Sequence, residues 1–190
     1  MTDNPQLNVT RERSFSAHHM LLGAARMSLE DANEKKPGWF YSELITITFC
    51  ALALEALCNA FGERFIENWS DFESSTPIAK LRIICSQLNI DADFTKEPWS
   101  RAVWLIRFRN KIAHAKPEFI EQNEIWSRDE YDDLRDEAPK SKLEKQISPN
   151  NANKAYEAAV AIKDALCDGI PIEQQHGLRS DGWTGSSKLV

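Results

Sequence analysis

The sequence predicts an all-α fold, a helical bundle of about five main helices. Nearly every segment repeats apolar residues at helical spacing, and none sustains a period of two. Prolines and glycines also fall where those segments should begin or end.

Residues 14–35 carry Phe15, Leu22 and Leu29 on one face and form the first expected helix. The second, "WFYSELITITFCALALEALCNAF" over residues 39–61, begins with β-branched residues, but its length and its later Ala/Leu content favour a buried central helix stopped by Gly62. Thr76-Pro77 supplies an N-cap and a proline at the first helical position for a third helix running to about Asn89. The fourth starts near Pro98 and must end before Pro117, because proline disfavours helix in the residue preceding it. In the charged stretch 118–147, with ten acids and five bases, the capping box Ser127-x-x-Glu130 marks one short helix. A last helix opens at Asn150 or Asn151, buries Ala155, Ala159, Ile162 and Leu166, and stops at Gly169 before Pro171. Residues 1–175 read as one domain with 118–147 as a charged insertion, and 176–190 read as a loose tail.

A net charge of −6 argues against a protein that coats nucleic acid or anionic membrane by bulk electrostatics. Four scattered cysteines (Cys50, Cys58, Cys85, Cys167) have no zinc-ligand spacing, and three of them fall within strongly apolar stretches and read as small buried hydrophobes in a reducing compartment. The N-terminal stretch "MTDNPQLNVTRERS" has no apolar signal region. The apolar run over residues 45–61 is shorter than the roughly 20 residues of a membrane span and contains Glu55 and Asn59. The expectation is a cytoplasmic chain with no membrane partner, no cofactor and no metal site.

The fourth helix is unlike the rest of this acidic chain. Between Pro98 and Pro117 lie Arg101, Arg107, Arg109, Lys111 and Lys116, with no acid. The later cations suit the negative end of the helix dipole, yet the same stretch, "WLIRFRNKIAHAKP", also carries His114. Five residues turn an ideal helix by about 140°, so Arg109 and His114 cannot stand side by side, whereas Asn110 and His114 can. Convergence requires a loosened helix end or a second copy across a two-fold axis. On the second helix, Thr48, Glu55 and Asn59 share a stripe. A glutamate between Leu54 and Ala56 is expected to be largely buried and to need a partner, with Arg109 or His114 the candidates.

"RNKIAH" (Arg109-Asn110-x-x-x-His114) resembles the signature of HEPN domains: an arginine, usually a polar neighbour, and a histidine four to six positions after the arginine, near the end of a late helix. "ALALEALCNAFG" is similar to that family's long second helix with its glutamate and asparagine, and "TPIAKLRIICSQL" resembles its lysine-bearing helix. The resemblance covers roughly residues 14–170. It implies an all-α bundle that dimerises through the motif helices and, in active members, a metal-independent endoribonuclease often used as a toxin or antiviral effector, with a cognate antitoxin as an implied partner. Arg109 and His114 would be the catalytic pair, with Asn110 and Glu55 supporting them and Asn59 beside Glu55. Other members bind nucleotides or partners without catalysis.

The chemistry is consistent with the residue types. Metal-independent RNA cleavage needs a base for the ribose 2′-OH and a cation for the phosphorane oxygens, tasks suited to histidine and arginine respectively. Arg107, Lys111 and Lys116 would hold flanking phosphates. Three functions follow: a homodimeric ribonuclease, a silent HEPN module binding a nucleotide or partner protein, and an unrelated helical interaction protein. His18-His19, pointing about 100° apart, read as part of an amphipathic helix and not as metal ligands. The tryptophans do not interleave with basic residues in sequence, except Trp104, which reads as core.

Overall fold

The computed structural model describes residues 6–134 and 137–189. The first five residues of the polar N-terminal stretch, and Arg135 and Asp136 of the charged insertion, lie outside the described residues. Six α-helices dominate: α1 (Ala17–Asn33), α2 (Trp39–Phe65), α3 (Pro77–Gln87), α4 (Trp99–Ala113), α5 (Arg128–Leu134) and α6 (Pro149–Asp168). α5 is the short helix foreseen in the charged insertion. Two strands, β1 (Leu7–Ser14) and β2 (Gly182–Leu189), form an antiparallel pair.

α2 is the axis of the bundle, with α1, α3, α4 and α6 all packed on it. Its core face carries Ile47, Cys50, Leu54, Leu57, Cys58 and Phe61, each nearly or fully buried. By length and composition α2 is apolar enough to cross a membrane, and half of its most apolar window is buried inside the bundle. It is ten residues longer than the 45–61 run picked out in the sequence.

The local signals at the helix ends have physical counterparts. The Thr76 hydroxyl accepts from the Ala79 amide at 3.3 Å, with Pro77 opening α3. Ser127 and Glu130 form the reciprocal capping box, with bonds of 2.7 and 3.3 Å. Ser148, rather than Asn150 or Asn151, caps α6 and accepts from the Asn151 amide. All four cysteines are free and buried, and burial pushes the Cys50 and Cys58 thiols up to about 12.

Gly62 does not stop α2, which runs on to Phe65. A Cβ on Gly62 would fall within the buried Trp69 indole, so this glycine makes room for a close approach. Gly62→Ala should therefore destabilise the fold by about 1–2 kcal/mol, after allowing for roughly 1 kcal/mol of improved helix propensity. Urea unfolding checks this, and an unchanged or raised midpoint would contradict the packing.

The tail expected to be loose is instead ordered. A bridge joins His176 and Ser180, and β2 pairs with β1 along its whole length, from Leu7↔Leu189 to Ser14↔Gly182. Leu178 is 3% exposed and belongs to the core. Its carbonyl lies 2.9 Å from His18 Nε2, and the Gly177 carbonyl lies 3.2 Å from His19 Nε2. Both histidines thus anchor the C-terminal segment. His18 continues the buried stripe of Leu22, Ala25, Leu29 and Ala32.

The deeply buried glutamate is Glu43, fully enclosed and with neither carboxylate oxygen hydrogen-bonded. Burial raises its pKa, so the folded state holds a proton that the unfolded chain releases above about pH 4.5. Stability from this group is present below that pH and is lost as pH rises through the folded-state value. Glu43→Gln should remove this loss, so the variant should gain stability relative to wild type as pH rises. Parallel unfolding profiles from pH 4 to 8 would contradict it.

Candidate active site

α4 ends where the sequence places the motif. His114 is its C-cap: its amide donates to the Asn110 carbonyl at 3.0 Å, and its side chain is exposed. Asn110, Arg107, Lys111 and Lys116 are exposed as well, while Lys111 Nζ reaches Gln146 at 3.5 Å. The buried side of the same helix consists of Trp99, Ala102, Leu105, Ile106 and Phe108. Core packing thus fixes one side of α4 and leaves its polar last turns open.

Arg109 turns away from this open face toward α2. Its Nη2 donates to Glu55 Oε2, and the two side chains are 25% and 33% exposed. The cation opposite Glu55 is therefore Arg109 and not His114. Glu55 sits at the margin of the core, less buried than expected, because Leu54, Leu57 and Cys58 occupy the inward face. Arg109 Nε is buried without a hydrogen-bond partner. Among the described residues no hydrogen bond joins Arg109 to His114.

One turn beyond Glu55, Asn59 accepts from Lys80 Nζ at 2.9 Å. Lys80 is 4% exposed, and its ammonium lies 5.6 Å from the centre of the Trp69 ring. A cavity of about 590 Å³ opens beside this pair, bordered by Glu55, Glu63, Glu73 and Trp69. Lys80 and Asn59 line it as well, and of its three carboxylates Glu55 is already paired with Arg109.

The remaining cation, Arg101, is structural. It bonds Glu97 and Asn151 and stacks on Trp104 at 5.1 Å, which in turn stacks on Phe108. Thr48 is half-buried and its side chain makes no hydrogen bond among the described residues, so the polar contacts of the stripe are those of Glu55 and Asn59. Lys80, the lysine of the "TPIAKLRIICSQL" segment, enters the site through its contact with Asn59.

No protein-family model, curated protein or solved structure matches this chain.

Proposed function

We propose that the chain is a metal-independent endoribonuclease of the HEPN type, working in the cytoplasm as a homodimer joined through its α4 helices. The toxin or antiviral class, with an antitoxin as regulator, belongs to the same proposal. One observation carries it: the Arg109-Asn110-x-x-x-His114 segment ends α4 with His114 exposed, while Arg109 is held by Glu55 of the central helix. The resemblance of the three quoted segments adds the reaction class.

In the proposed reaction a neutral His114 nitrogen takes the proton of the ribose 2′-OH. The 2′-oxygen forms a bond to phosphorus, and the P–O5′ bond breaks. The 5′-oxygen leaves with a proton drawn from solvent, so no electrons are exchanged. Arg109 stabilises charge on the non-bridging oxygens, with Glu55 fixing its guanidinium. Because Arg109 and His114 diverge on one helix, a second copy supplies the complementary half of each site.

The test is cleavage of RNA by the purified chain in excess chelator. Products with 2′,3′-cyclic phosphate and 5′-OH ends, and no cleavage of DNA, are expected. Wild type that cuts no RNA would overturn the proposal. The Arg109–Glu55 pair then favours the second reading, a silent module binding a nucleotide or partner, since the ion pair already neutralises the arginine.

A further inference from the structure

The two-stranded ribbon brings together residues some 170 positions apart in sequence. Arg13 lies opposite Trp183 and Arg11 opposite Gly185. Cross-strand partners share a face and alternate residues point to opposite faces. Arg11, Arg13 and Trp183 therefore stand together, while Glu12, Thr184 and Lys188 stand on the other face.

Trp183 is 70% exposed, far from the usual state of this residue type. Its indole edge nevertheless lies over Gly185. A Cβ on Gly185 would stand 3.2 Å from Trp183 Cζ3 and 3.7 Å from Arg11 Cγ, so the indole edge and the arginine stem share the space a side chain would fill. Arg13 is braced by Asp181 at 2.7 Å, and its guanidinium lies 5.2 Å from the ring centre of Phe15, itself 57% exposed. Aromatic and cationic groups thus alternate: Phe15, Arg13, Trp183, Arg11.

We infer that this face of the ribbon binds single-stranded RNA, with Trp183 stacking on an unpaired base and Arg11 taking a neighbouring phosphate. Charge selects this occupant: within the strands this face carries Arg11 and Arg13 and no acid, Arg13 being braced by Asp181, in a chain of net charge −6. A single strand is favoured over a duplex because only unpaired bases offer a free π-face. The choice of RNA over other polyanions rests on the ribonuclease reading above. The ribbon is rooted where Arg64 of α2 donates to the His176 carbonyl at 2.8 Å. Arg64 lies nine residues beyond Glu55, about 14 Å along the helix axis.

The experiment uses the full chain carrying His114→Ala, so that RNA stays intact, and a short fluorescein-labelled oligouridylate read by anisotropy. Adding Trp183→Leu, which keeps apolar bulk over Gly185, should weaken binding by about five-fold or more. Trp183→Phe should restore most of it, and Arg11→Ala should weaken binding and flatten its salt dependence. Duplex RNA of equal length should bind the same with or without Trp183. Unchanged oligouridylate binding by Trp183→Leu overturns the inference, as does an equal loss on duplex, which would mean that the indole supports the ribbon's shape and does not stack on an unpaired base. Loss of a dimer with RNA binding intact would instead assign the face to a second copy. The two proposals fail separately. If the chain with His114 intact cuts no RNA but the Trp183 effect holds, the ribbon site stands alone. If cleavage depends on His114 and binding ignores Trp183, only the ribbon site falls.

Discussion

His114→Ala is expected to abolish RNA cleavage, lowering the rate by about 10²–10⁴ through loss of the general base. Its unfolding midpoint should stay close to wild type, because the side chain is exposed at a helix end and, among the described residues, forms no hydrogen bond. Arg109→Ala should lose some ~3–4 kcal/mol of transition-state stabilisation, on the scale of removing one oxyanion donor. It should also cost some stability, since Glu55 is left at the α2–α4 boundary without its cation. Lys111→Ala should mainly weaken binding and reduce its salt dependence. A His114→Ala protein that cuts as fast as wild type would end the ribonuclease reading.

Acidification should unfold the protein through His18. Burial lowers its pKa from 6.5 to about 4, with the Leu178 carbonyl opposing that shift and nearby His19 and Lys163 adding to it. Between these values the unfolded chain binds a proton that the folded chain refuses, so stability falls as pH drops from 6.5 to 4. The full difference is on the order of 3 kcal/mol. Glu43 works in the opposite direction, as its raised pKa favours the folded state in acid. His18→Gln, which can still donate to Leu178, should flatten the profile across this window. The check is urea unfolding of both proteins at matched pH, and parallel profiles would contradict the assignment.

Periodicity and punctuation made the helices legible. Thr76-Pro77, Ser127 with Glu130, and Pro117 each act on neighbours within one turn, so their effects can be read locally. Two of the buried polar groups, Glu43 and His18, could have been found the same way. Glu43 precedes Ile47 by four positions and His18 precedes Leu22 by four, each on the face of its helix that carries the core. Gly62 misleads because a glycine that ends a helix and one that admits an indole look alike until Trp69 is placed. The ribbon was illegible for a different reason: neither strand buries a face, so neither shows the alternation that selects a strand. The aromatic–cation ladder exists only after pairing. On α4 the exposed polar end was readable, and so was the pull of Glu55 on one of two cations. Which cation responds depends on the helix packing.

The pairing of β1 with β2 also sets an order of events during synthesis. β1 emerges from the ribosome first, and its partner is made some 170 residues later. At about 5–20 residues per second, the first strand waits on the order of ten seconds or longer with both edges open. During that interval His18 lacks the Leu178 carbonyl, and the core lacks the Leu178 side chain. The helices can associate as they are translated, but the last stretch of chain closes the structure. A truncation before Leu178 should behave like a nascent chain arrested at that step, with helices formed and a gap where Leu178 would seat.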